Sequence, residues 1–267
     1  MNKPRVAASS YLNAAPLCYS FVHGLQRDRS EFLSDAAPAR CSELLSSQQA
    51  DAALIPVIEY ARVPDLKIAP NACVASRHLV RSVIVASKVP LPEIRTLTLD
   101  TSSRTSAALI RILLEHFYSV HPIYSQTPPK IDEMLASNDA ALIIGDPAML
   151  VDRTSLRVYD LAEEWKKNTG LPFVFAFWAI RSGSIERLEQ AGIDFVEAKR
   201  EGIASIGTIA ADYSRQLGLP VSDLISYLTE NISYDLDAES LRGMNLYFQL
   251  AHQLGLIEST PDLRFLG

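Results

Sequence analysis

"SELLSSQQADAALIP" (residues 42–56) and "DEMLASNDAALIIG" (residues 132–145) repeat one pattern in two parts of the chain. In each, a helical stretch passes through a short polar link into Asp-Ala-Ala-Leu-Ile. A short apolar run bounded by polar residues predicts a buried strand. Helix followed by buried strand is the repeating unit of an α/β sheet. Two copies therefore predict two similar α/β lobes in a single chain.

The neighbouring segments extend this reading. "RVAASS" (5–10) reads as a short buried strand, "VRSVIVAS" (80–87) has the β-branched density of one, and "RTLTLD" (95–100) and "FVFAFWAI" (173–180) read as strands too. "VIEYAR" (57–62) reads as helical. "KVPLPEI" (88–94), broken by two prolines, marks a lobe boundary. Leu109, Ile112, Leu113, His116 and Phe117 fall on one helical face. From Ser184 onward the pattern is almost wholly helical: Leu241, Met244, Phe248 and Ala251 keep a 3–4 spacing, and Gly255 ends that helix. The strand at 173–180 returns the chain to the first lobe. The predicted division is 1–87 plus 178–267 for a discontinuous lobe 1 and 88–177 for an inserted lobe 2, with a cleft between them.

At 267 residues, with 48% hydrophobic and 21% charged residues, the chain has an ordinary globular balance. A net charge of −6 excludes a general nucleic-acid binder, which shows a basic stripe. It leaves room for a small anionic ligand, because a pocket can be locally positive in an acidic protein. Cys18, Cys41 and Cys73 have neither metal-ligand spacing nor a disulfide framework, so reduced thiols are expected. "MNKPRVAASSYLN" holds no apolar run of leader length, and no segment approaches the roughly 18 apolar residues of a membrane span. The expectation is a cytoplasmic chain with no membrane partner.

Ligands bind α/β sheets beyond the carboxyl ends of the strands. The unusually polar turns fall there: Ser9–Asn13, Thr101–Ser106 and Gly145–Asp146. Ser10, Tyr11 and Asn13 either hydrogen-bond a ligand or close an Asx-type turn. The stretch 101–106 carries five hydroxyl residues and Arg104 at a helix start. Ser102 or Ser103 is expected to cap that helix. Its free N–H groups, with Ser103, Arg104, Thr105 and Ser106, also suit a carboxylate or phosphate. Asp146 reads as an N-cap before Pro147. Arg81 and Ser82 point to opposite faces of a strand, so at most one enters a given pocket. No dinucleotide fingerprint, P-loop, zinc-protease helix or nucleophile elbow occurs, and neither cofactor nor metal is expected.

Those same residues resemble a known family. "SSYLNAAPL", "ADAALIPVIEYAR", "VRSVIVAS", "DTSSRTSAAL", "LIIGDPAM", "LPFVFAFW", "NISYDL" and "GMNLYFQLAHQLGLI" together resemble the chorismate dehydratases of the futalosine route to menaquinone, over nearly the whole chain. The resemblance implies a type II periplasmic-binding-protein-like fold, with two α/β lobes, a central ligand cleft and two crossover strands. It also implies a lyase that removes water from chorismate, a dicarboxylate, to give 3-[(1-carboxyvinyl)oxy]benzoate without cofactor. By motif, the family's suspected catalytic Asn and Ser fall on Asn13 and Ser82. Ser10, Tyr11, Ser103–Ser106, Gly145 and Asp146 would bind substrate. Three alternatives stand beside it. A solute-binding receptor shares the fold. Prephenate dehydratase carries Thr-Arg-Phe where this chain has Thr-Ser-Ser-Arg-Thr-Ser. The sister enzyme that forms 1,4-dihydroxy-6-naphthoate opens on a Cys-Pro-Asn-Asp type motif that this chain lacks.

Overall fold

The computed structural model describes residues 3–35 and 37–267; Met1 and Asn2, part of the N-terminal stretch read above, lie outside them. The first lobe begins with β1 (Arg5–Ser9), α1 (Ala15–Val22), β2 (Glu31–Asp35), α2 (Pro38–Ser46), β3 (Ala52–Pro56) and the long β4 (Leu66–Ser76). The chain then crosses into β5 (Val83–Ser87), β6 (Thr96–Asp100), α3 (Thr105–Arg111), β7 (Ile123–Thr127), α4 (Ile131–Ala136), β8 (Ala140–Ile144), α5 (Asp146–Met149), β9 (Arg157–Asp160) and α6 (Leu161–Thr169). It returns through β10 (Phe173–Arg181), followed by the helices α7 (Ile185–Gln190), α8 (Phe195–Ala204), α9 (Ile206–Leu217), α10 (Val221–Ser226) and α11 (Ala238–Gln253).

The two sheets have the same plan, β2-β1-β3-β10-β4 and β7-β6-β8-β5-β9. In each, three strands run parallel, and the fourth position is antiparallel to both of its neighbours. That fourth strand comes from beyond a crossover in both cases, so each lobe is completed by a distant part of the chain.

The repeated Asp-Ala-Ala-Leu-Ile is therefore an equivalence in space. It supplies β3 and β8, the third strand of each sheet, and every residue of both is buried, as their unbroken apolar runs require. The shared aspartate does the same work twice. Asp51 accepts the Arg5 N–H at 2.8 Å, and Asp139 accepts the N–H groups of Arg95 and Thr96 at 3.0 and 2.9 Å. Each carboxylate thus fixes the start of the adjoining first strand.

Both expected boundaries move. Residues 83–87, assigned to lobe 1, are β5 of the second sheet, and 173–177, assigned to lobe 2, belong to β10 of the first. The prolines at 90 and 92 lie after the first crossing, Pro90 just before and Pro92 within a short helical turn at Leu91–Glu93. A buried strand looks the same whichever sheet it joins, so the sequence pattern does not assign it.

Candidate active site

The cleft encloses about 530 Å3, part of it open to solvent, at the carboxyl ends of strands from both sheets. Leu54, Pro56, Val74, Val83, Ile144 and Phe175 form apolar walls. Ser9, Tyr11 and Asn13 line it from the first lobe, and Ser102 through Ser106 with Gly145 line it from the second. An apolar sleeve with a polar end suits a small ligand with an apolar body and a polar edge.

The start of α3 is open. Its N-cap position is Arg104, and no side chain caps it, contrary to the expected Ser102 or Ser103 cap. The reason is local. Asp100, buried at the end of β6, accepts both the N–H and the hydroxyl of Ser102, at 2.8 and 2.6 Å. That turn draws Ser102 away from the helix. Ser103 Oγ is buried without a partner. The first-turn N–H groups and the Ser103 hydroxyl are thereby left for a ligand, and the helix start favours an anion. Arg104 is the one cation at the cleft wall among the described residues, and it also stands 3.9 Å from Glu43.

Asn13 lies in a tight helical turn, Leu12–Ala14, closed by backbone alone: Ala14 N–H donates to Tyr11 O at 3.0 Å. The Asx-turn alternative is thus removed, and the amide sits against the phenol of Tyr227. Tyr227 O–H in turn donates to Ser82 Oγ at 2.6 Å. Ser82 is fully buried and does not line the cleft, while Arg81 turns away to pair with Asp223 at 2.9 Å. Asn13, Tyr227 and Ser82 form a row from the cleft inward. The sequence reading missed Tyr227, which no motif marks; its only signal is a tyrosine within an otherwise apolar helical stripe.

Other expected residues are redistributed. Ser10 is exposed, and its carbonyl accepts Tyr213 O–H at 2.7 Å; Ser9, one position earlier, faces the cleft instead. The change follows from strand alternation, which sends consecutive side chains to opposite sides. Thr105 lines the cleft but spends its hydroxyl between the lobes, accepting Ile58 N–H at 3.3 Å. Asp146 is not an N-cap; Gly145 holds that position. The Asp146 carboxylate reaches across the cleft and accepts Leu12 N–H at 2.9 Å. Burial pushes its pKa up to about 6, opposed by that hydrogen bond. Tyr11 O–H and Ser102 Oγ, 3.3 Å apart, make a second bridge. Gly145 has a required absence of side chain: at φ +68°, a Cβ would stand 2.5 Å from the Tyr11 ring.

The comparisons with known proteins agree with this architecture. A family model described as menaquinone biosynthesis matches residues 4–253. The chorismate dehydratase of Thermus thermophilus is 31% identical over 266 residues, covering 92% of this chain and 93% of the relative. The chorismate dehydratase of Campylobacter jejuni is 26% identical over 253 residues, covering 92% and 96%. Among solved structures, the periplasmic aliphatic sulphonate binding protein of Escherichia coli superposes with a TM-score of 0.67 at 16% identity, covering 100% of this chain and 92% of its own. The fold is the two-lobed type II periplasmic-binding-protein-like fold with crossover strands. The cytoplasmic expectation is corrected by the same neighbours: the fold is shared with proteins named as periplasmic, and the N-terminal residues decide nothing about compartment. Among the described residues no helix is long and apolar enough to cross a membrane. The match runs from the first strand to the end of the last helix, and the chain belongs to the menaquinone-biosynthesis family, with the chorismate dehydratases.

Proposed function

We propose that the protein converts chorismate to 3-[(1-carboxyvinyl)oxy]benzoate by loss of water. The observation that carries this reading is the uncapped start of α3 facing Asn13 across an apolar sleeve. A substrate with an apolar ring and carboxylates at its edge fits that division. The two relatives named as chorismate dehydratases point the same way.

The chemistry asks little of the protein beyond orientation. The ring C–H beside the enolpyruvyl ether gives up its proton, the neighbouring hydroxyl leaves, and the ring becomes aromatic. Charge developing on the ring delocalises through the diene into the ring carboxylate. Positioning and electrostatic stabilisation therefore supply the rate enhancement. One carboxylate sits on the α3 N–H groups with Ser103, Arg104 and Ser106. Asn13 orients the reacting centre, and Tyr227 and Ser82 hold Asn13 from behind. Tyr11, Gly145 and Asp146 close the site against water.

Incubating the purified protein with chorismate, and following ultraviolet absorption and product mass, tests the reading. Loss of the cyclohexadiene spectrum with a product lighter by one water is expected. Chorismate that binds and is recovered unchanged would instead identify a carboxylate-binding protein.

A further inference from the structure

The first crossover contains a bend that the backbone does not adopt unaided. Arg81 has φ +63°, and Ser82 N–H donates to Val80 O at 2.7 Å, closing a three-residue turn around it. A non-glycine residue in that region is strained and persists only where its surroundings hold it. What holds it is the carboxylate of Asp160, at the end of β9 and 3% exposed. Asp160 accepts Val80 N–H through both oxygens at 3.1 Å and Arg81 N–H at 2.6 Å. The same carboxylate accepts Ala162 and Glu163 N–H at 3.0 and 3.2 Å, capping α6 at the start of the second crossover. One side chain therefore ties the two crossovers together.

The bend determines where Ser82 points. Beyond it, Ser82 O accepts Gly145 N–H at 2.7 Å, and Ser82 Oγ accepts the Tyr227 hydroxyl. The Arg81 side chain pairs with Asp223, and its guanidinium stands 5.9 Å from the centre of the same Tyr227 ring. We infer that Asp160 is a positioning residue for the reaction: by clamping the strained turn at Arg81 it sets the row Ser82–Tyr227–Asn13 that backs the cleft. This rests on the chorismate dehydratase reading for its kinetic consequence and on the geometry alone for the clamp.

Two functions of Asp160 are separable. Serine at this position still caps α6, because a short hydroxyl reaches the first-turn N–H groups, but it is too short to hold Val80 and Arg81. Asp160→Ser should lower kcat roughly tenfold or more with KM little changed, since the carboxylate cradle is on α3. Adding Arg81→Gly should restore kcat to that of Arg81→Gly alone, the reference that accounts for the lost guanidinium beside Tyr227, because glycine takes the positive φ without a clamp. A cap alone would change thermal stability and leave kcat untouched. Wild-type turnover of chorismate decides the functional reading first. Hydrogen exchange on the unmodified protein decides the clamp without any substrate or variant: the amides of Val80, Arg81 and Ser82 should exchange as slowly as those of β5. Fast exchange there would overturn the inference, as would wild-type kcat in Asp160→Ser or a loss that Arg81→Gly does not repair.

Discussion

Asn13 is the cleft residue on which the proposed chemistry is most sharply tested. Its turn is closed by backbone, with no side-chain cap, and its amide lines the cleft beside the Tyr227 phenol. Asn13→Asp keeps the size and the turn but replaces an N–H donor by a carboxylate. The new charge faces a dianionic substrate and the hydroxyl row behind it. Turnover of chorismate should fall by a factor of roughly 100, as for loss of an oxyanion-type donor, with the melting temperature little changed. A stable variant with near-normal turnover would remove Asn13 from the chemistry. The sequence pointed to the cleft position of Asn13 because it follows a strand's carboxyl end, where ligands bind α/β sheets; its proposed role came from the family resemblance. Tyr227 was not legible there, because its meaning depends on Ser82, 145 positions away, meeting it across the fold.

At the scale of elements, legibility followed burial. The repeated β3 and β8 stood out because both their faces are covered, so the whole run is apolar. The edge strands β2 and β7 read as nothing in particular, because solvent on one side left them polar and mixed. Pro70 and Asn71 concealed β4, where the chain passes an irregularity in its pairing with β10. His116, placed by simple periodicity beside an apolar stripe, is exposed: α3 widens into a π-helical turn over Ile112–Phe117, and one extra residue per turn rotates the histidine outward. The open end of the same helix was half legible. Its hydroxyls announced a polar helix start, but the theft of Ser102 by Asp100 required coordinates. The unpartnered Ser103 hydroxyl gives this element a distinctive test. A buried hydroxyl without a partner is a cost to the free protein, so Ser103→Ala should leave thermal stability unchanged or slightly raised. The same change should weaken binding of chorismate or a product analogue by about 1–3 kcal/mol if the hydroxyl meets a carboxylate. Unaltered affinity by calorimetry would place the carboxylate elsewhere on the helix start.

At the scale of the molecule, two lobes meet across a cleft bridged by contacts that include Leu12 N–H to Asp146, Tyr11 to Ser102, Ile58 N–H to Thr105, Ala39 N–H to Ser102 O and Arg104 to Glu43. The first contains a carboxyl whose pKa burial moves toward neutrality. Burial raises the Asp146 pKa from 3.8 to about 6 when the lobes are together, whereas an open cleft returns the carboxyl to water. The closed form therefore binds the proton more tightly than the open form. Its advantage from this group is complete below the open-state value and is lost as pH rises through about 6. The neighbouring phenols of Tyr213 and Tyr227 are pushed up by burial, so they stay neutral across that window. Small-angle scattering of the ligand-free protein should then show a larger radius of gyration at about pH 7.5 than at about pH 5. Asp146→Asn keeps an acceptor for Leu12 N–H without the charge, so it should stay closed at both values and lose the pH step. Other titrating groups are common to the two proteins, which makes their difference the measure of this one carboxyl. An equal step in wild type and variant would show that Asp146 does not govern the cleft. If the difference is found, substrate affinity should follow it, because a closed cleft desolvates the carboxylate proposed to sit at the start of α3.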